Sequence, residues 1–193
     1  MLERKKSFSV RHMAVTAMLG AISVVLGITQ LGFIPIGMLR VTILHIPVII
    51  GAIVEGPVVG ALVGLIFGIS SLITAITTPT PVSFVFINPL VSILPRILIG
   101  IGSFYVYELS RKLLRNETAS YALTGVLGTM INTAGVLGMI YILYADRFVK
   151  AAGLSTESAA KTIAGIAVTN GIPEMTVAAI IVSAVVSGIK KIR

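Results

Sequence analysis

The sequence predicts an all-α integral membrane protein with six transmembrane helices and both termini in the cytoplasm. Three observations predict it. Hydrophobic residues make up 56% of the 193 and charged residues only 11%, with a mean hydropathy of +1.04, and no water-soluble domain of this size carries so apolar a surface. The apolar residues form runs close to the roughly twenty residues that cross a bilayer. Ten of the fifteen Lys and Arg residues fall in three clusters that six crossings bring to one side, which the positive-inside rule makes cytoplasmic.

The first span, 10–28, follows Arg4, Lys5, Lys6 and Arg11. It lacks a small-residue cleavage site with a polar mature domain behind it and reads as an uncleaved helix, not a signal peptide. The second run, 43–54, starts after the irregular segment QLGFIPIGMLRVT and ends at Glu55-Gly56-Pro57. It is short for an upright crossing, so part of the preceding loop is expected to dip into the protein and complete it. The third span, 58–76, stops at TTPTP, where two prolines end any helix. The fourth, fifth and sixth are 89–109, 119–144 and 159–189, and the whole chain, 1–193, reads as one membrane domain.

The other two basic clusters are Arg111, Lys112 and Arg115, and Lys190, Lys191 and Arg193. A net charge of +8 raises the possibility of nucleic-acid binding, but these residues flank apolar spans as interfacial anchors and no basic or aromatic stripe joins them. Loops 29–42, 77–88 and 145–158 fall outside. The first two are rich in Pro, Gly, Thr and apolar residues, a composition suited to folding over a cavity mouth. The third carries Asp146, Arg147, Lys150 and Glu157. With no cysteine and two isolated histidines, no disulfide framework or metal site is expected.

Arg96 stands alone in NPLVSILPRILIGIGSFYVY, uncharged otherwise until Glu108. Burying an arginine near the bilayer centre costs at least ~3 kcal/mol, so it is expected to face a partner, a ligand or an aqueous cavity. Counting at ~1.5 Å per residue from the basic ends puts Arg96 about 22 Å deep, Glu174 about 24 Å and Asn132 about 25 Å. Asn170 lies one turn outward from Glu174, and Asn88 opens the fourth span near the mouth. Two readings remain open: a ligand cavity, or a buried Arg96–Glu174 ion pair with Asn132 and Asn170 as interhelical hydrogen bonds. Pro95 and Pro173 each precede one of the charges and each frees a backbone carbonyl one turn earlier. His45 is placed for ligand contact or for capping and packing. Arg40 is placed to attract an anion or to rest among lipid headgroups.

Gly60, Gly64 and Gly68 in the third span are spaced for close helix packing, and Ala17 and Ala21, with Ala14, give the first span a small-residue face. The basic N-terminus leading into AVTAMLGAISVVLG, the block HIPVIIGAIVEGPVVGALVGLIFGISSL and INPLVSILPRILIG together resemble the substrate-binding S components of energy-coupling factor (ECF) vitamin transporters, most like the pantothenate-type branch. The resemblance spans nearly the whole chain. It implies a multi-pass protein of the bacterial cell membrane that binds a vitamin from outside and docks on a transmembrane coupling subunit driven by two cytoplasmic ATPases. It also implies that Ala17 and Ala21 form the docking surface and that loops 29–42 and 77–88 act as a lid. No Walker motif occurs, so ATP hydrolysis is assigned to partners, and the chain itself is expected to be neither an enzyme nor dependent on a cofactor.

Pantothenate carries one carboxylate, two hydroxyls and an amide. Arg96 is assigned to the carboxylate, and Asn132, Asn170 and Glu174 to the hydroxyls and amide, with Asn88 and His45 as further candidates. Riboflavin, then pyridoxine, folate or thiamine, are the alternatives; with no Trp and few aromatics large flat vitamins rank lower, and Phe84, Phe86 and Tyr141 near the mouth keep riboflavin open. An intramembrane enzyme lacks a nucleophile and base or a carboxylate pair. A stand-alone secondary transporter using Glu174 for protons would show internal repeats, and the two halves show none.

Overall fold

A computed structural model describes residues 9–29, 31–36, 39–153 and 158–192. Arg4, Lys5, Lys6, Glu157 and Arg193 lie outside the described residues, as does the side chain of Arg40. Seven helices and one hairpin are described: α1 (Val10–Ile28), β1 (Phe33–Ile36), β2 (Leu39–Thr42), α2 (Ile46–Glu55), α3 (Pro57–Thr77), α4 (Pro89–Ser92), α5 (Leu94–Leu114), α6 (Glu117–Ala151) and α7 (Ala159–Ile192). A single 3₁₀ turn, Ser83–Val85, precedes α4.

Five helical stretches are long and apolar enough to cross a membrane, with α4 and α5 counted together. Their outer faces carry Met18, Ile73, Leu109, Ile142, Val168 and Ile180, all exposed, a distribution that suits lipid. The chain is a multi-pass membrane protein. α2 has only ten residues, and every residue from Ile46 to Ile53 is buried. It is the central post of the bundle, packed on α1, α3, α5, α6 and α7.

The bundle is helical, as the fold class predicts, and it carries one element the apolar runs did not announce: between α1 and α2, β1 and β2 pair antiparallel with Phe33 opposite Thr42 and Ile36 opposite Leu39. The apolar, partly β-branched sequences FIPI and LRVT satisfy each other's backbone groups at the mouth of an apolar bundle. The fourth span, expected over 89–109, is a continuous apolar stretch Pro89–Leu114, interrupted for one residue at Ile93, with φ −102° and ψ −50°, because Pro95 has no N–H to continue the ladder. In α6 the backbone leaves helical angles at Tyr144, with φ −143° and ψ 15°. The apolar run 119–144 ends there, and the helix then continues to Ala151.

At one end of the bundle Arg11 donates to Glu55 from Nε at 3.1 Å and from Nη2 at 2.9 Å, with His12 Nε2 3.5 Å from the other carboxylate oxygen. Lys190 Nζ donates to the Tyr107 hydroxyl at 2.7 Å, and Tyr121 donates to Glu117 at 2.7 Å. These contacts bring the starts of α1 and α6 and the ends of α2, α5 and α7 to a common level.

α3 and α5 meet along a glycine seam. A Cβ on Gly64 would lie 2.2 Å from the Arg96 carbonyl oxygen, and one on Gly100 would lie 2.2 Å from the Gly60 carbonyl carbon. Backbone therefore rests on backbone, and the segment that carries Arg96 is fixed by main-chain contact.

Candidate binding cavity

A cavity of about 350 Å³ opens at the end of the bundle opposite the Glu55 and Lys190 contacts. α3 supplies one wall through Phe67, Ser70, Ser71, Thr74 and Ala75, continued by Thr78 just past the helix end. These residues recur at three- and four-residue intervals and so share a helix face. Thr74 keeps its hydroxyl proton in use by donating to the Ser70 carbonyl at 2.9 Å, which makes a hydroxyl acceptable at this depth. The hairpin adds Phe33 and Thr42, and the 77–88 segment adds Thr80, Ser83 and Phe86. In that segment Ser83 Oγ accepts from the Thr80 backbone N–H at 2.8 Å, giving the turn a fixed shape. Arg96 and Asn132 complete the lining from α5 and α6.

Arg96 is only 6% exposed. Its Nη1 donates to the Val91 carbonyl, the acceptor that Pro95 frees by having no N–H four residues further on. The guanidinium carbon lies 5.4 Å from the Phe67 ring centroid and 5.7 Å from that of Phe86, so the ring quadrupoles offset part of its desolvation. Nε has no hydrogen-bond partner, and neither does Asn132 Oδ1. A donor and an acceptor are thus left unsatisfied on residues that line the cavity, and a buried polar atom without a partner is costly.

The Arg96–Glu174 ion pair is not formed. Glu174 Oε1 accepts from the Thr42 backbone N–H at 2.9 Å and from the Thr42 hydroxyl at 2.7 Å, and Glu174 stands behind the cavity lining. His45 is 1% exposed and lies beneath the cavity, with Nε2 2.9 Å from Thr129 Oγ1. The Thr129 hydroxyl proton goes to the Gly125 carbonyl at 2.8 Å, so His45 is the donor in that pair. Asn170 is half-buried on α7 and outside the lining. Asn88 caps α4, accepting from Leu90 N at 3.0 Å, and its Nδ2 donates to the Tyr144 hydroxyl at 3.0 Å. Asn88→Ala is therefore expected to cost about 1 kcal/mol of stability and to leave ligand affinity unchanged. Thermal unfolding and titration of the same sample check both.

Residues 11–186 match the family described as the ECF transporter substrate-specific component. The chain belongs to that family. Among its relatives, the pantothenic acid transporter PanT of Lactococcus lactis subsp. cremoris is 32% identical over 166 residues, covering 79% of this chain and 79% of that protein. The pantothenate transporter PanT of Leuconostoc mesenteroides subsp. mesenteroides is 32% identical over 165 residues, covering 82% of this chain and 81% of that protein. As a substrate-specific component the chain supplies the binding step of a transporter, and a small cavity at one end of a helical bundle suits that task.

Sequence reasoning did not single out Phe33, Phe67 or the hydroxyl wall of α3. The helical spacing of residues 67, 70, 71, 74 and 78 carried the signal. Serine and threonine register little on hydropathy, so an apolar run masks them.

Proposed function

We propose that this protein is the pantothenate-binding S component of an ECF importer in the bacterial cytoplasmic membrane. The observation that carries this reading is the buried Arg96 guanidinium on the cavity surface. Its Nη1 is held by Val91 and its buried Nε has no partner, a donor that a side-on carboxylate satisfies once a small shift of the side chain turns that edge to the cavity. The names of the PanT relatives supply the carboxylate's owner. Asn132 lines the cavity and its buried Oδ1 has no partner, so a turn of the side chain would let it accept from the amide N–H. The hydroxyls of Ser70, Ser71 and Thr74 face the two ligand hydroxyls, and Phe33, Leu44 and Ala75 give the geminal methyls an apolar wall. The volume falls in the small-ligand range of about 300–1,000 Å³. Riboflavin fits less well, because Phe67 and Phe86 already serve the Arg96 cation.

In this reading α2 together with the hairpin makes the sixth crossing, and both termini are cytoplasmic. The hairpin and the 77–88 segment form the roof over a cavity that opens outward. α1 buries Thr16, Gly20 and Ser23 and exposes Ala14, Ala17 and Ala21, so the small-residue face is free to dock on a transmembrane coupling subunit. ATP hydrolysis belongs to two cytoplasmic ATPase partners.

Calorimetry on the purified chain with pantothenate, riboflavin, thiamine, pyridoxine and folate tests the assignment. Pantothenate alone is expected to bind tightly, with no uptake into vesicles until coupling and ATPase subunits are added. Ala17→Leu should keep binding and lose coupled uptake. Tight binding of another vitamin, or uptake by the lone chain on a proton gradient, overturns the reading.

A further inference from the structure

Glu174 has no role in the site described above, yet it is a carboxylate only 7% exposed on a membrane-spanning helix. Such a group is expensive to bury and marks a function unless it only completes a packing contact. Both hydrogen bonds recorded for it converge on one oxygen and come from one residue, the last of β2. Thr42 is opposite Phe33 in the hairpin register, and both line the cavity. Directly below them Ile43 N donates to the Gly32 carbonyl at 2.9 Å, closing the base of the hairpin. Among the described residues, Glu174 is the side chain that hydrogen-bonds from the helices to a strand of this hairpin. The bond pair includes a main-chain N–H, so it fixes the strand itself as well as a side-chain rotamer.

We propose that Glu174 is a positioning residue, a latch that holds the β1–β2 hairpin down over the cavity and so sets how fast a ligand leaves, without touching the ligand. Its carboxyl group is directed to Thr42 and stands behind the wall, which also avoids the repulsion that a carboxylate facing an anionic ligand would cause. Opening the roof requires both Thr42 bonds to break together.

The chain has no cysteine, so Ser71→Cys places a single thiol on the cavity wall. Its modification rate by a small polar thiol reagent, in vesicles and without ligand, reads roof opening directly. Adding Glu174→Ala is expected to raise that rate about tenfold. Glu174→Gln keeps an oxygen that accepts from both Thr42 donors and should stay within about threefold of the parent. Thr42→Val removes the hydroxyl donor alone and should fall between, which keeps the test decisive if Glu174→Ala does not fold. Equal rates in the parent and in Glu174→Ala, or in the parent and Thr42→Val where the alanine variant does not fold, overturn the latch. So does a glutamine variant as fast as the alanine one.

The ligand arm rests on the pantothenate reading. The pantothenate dissociation rate, without the added cysteine, should follow the same order, fastest in Glu174→Ala and near the parent in Glu174→Gln. A latch that controls labelling in a protein that binds no pantothenate would refute that reading and leave the latch standing. Dissociation rates that ignore the labelling order would overturn the latch's control of release.

Discussion

Arg96→Ala is expected to weaken pantothenate binding by at least about 2 kcal/mol, roughly 30-fold, the scale of a lost charge-assisted contact in a buried site. Titration calorimetry reads it, and unchanged affinity would sink the assignment of the carboxylate. The variant also removes the cation between Phe67 and Phe86 and leaves the Val91 carbonyl without its donor, so a fall in affinity alone does not separate contact from collapse. Arg96→Lys separates them. A lysine keeps the charge and offers a donor for Val91, yet it has no second, coplanar donor for the carboxylate. Its expected signature is a protein of near-parental thermal stability whose affinity remains well below that of the parent.

Gly64→Ala is expected to be, with Gly100→Ala, among the most damaging single-carbon changes in the bundle. The new Cβ would stand 2.2 Å from the Arg96 carbonyl oxygen, and the obstacle is main chain, which has no rotamer to yield. α3 and α5 must separate, at a cost on the order of 1–3 kcal/mol or more for an overpacked core. Because the displaced atom belongs to Arg96, affinity should fall along with the unfolding temperature. Gly138→Ala is the control. Nothing lies within 4 Å of its would-be Cβ, and replacing a helical glycine by alanine there should be neutral or stabilise by roughly 0.5–1 kcal/mol. An unfolding temperature unchanged in Gly64→Ala would show that the two helices are not in main-chain contact.

Much of the helical layout is legible in the sequence because hydrocarbon imposes one simple demand, a run of apolar residues long enough to cross it. α1 covers 10–28 and α3 differs from the run 58–76 by one residue at each end. Depth is legible too, since rise per residue is constant, and counting from the basic ends put Arg96 and Asn132 at one level, where both line the cavity. Counting gives height but not azimuth. Glu174 shares the level of Arg96 and yet bonds to Thr42 on another side of the cavity, and Asn170 stays out of the lining for the same reason. The hairpin was illegible because four-residue strands such as FIPI carry too short a pattern to separate from an apolar loop. The coupling between Pro95 and Arg96 could be anticipated, because a missing N–H always frees a defined carbonyl, here that of Val91.

The lengths of the helices also decide which of them sense the bilayer. α6 and α7, with 35 and 34 residues, run to about 50 Å, well beyond a hydrocarbon core of about 30 Å, and must tilt or protrude as membrane thickness changes. α2 is about 15 Å long and touches protein on every side, so hydrophobic mismatch has no direct purchase on it. The post beneath the cavity is thus mechanically insulated from the lipid around it, and changes in membrane composition act on the outer helices first.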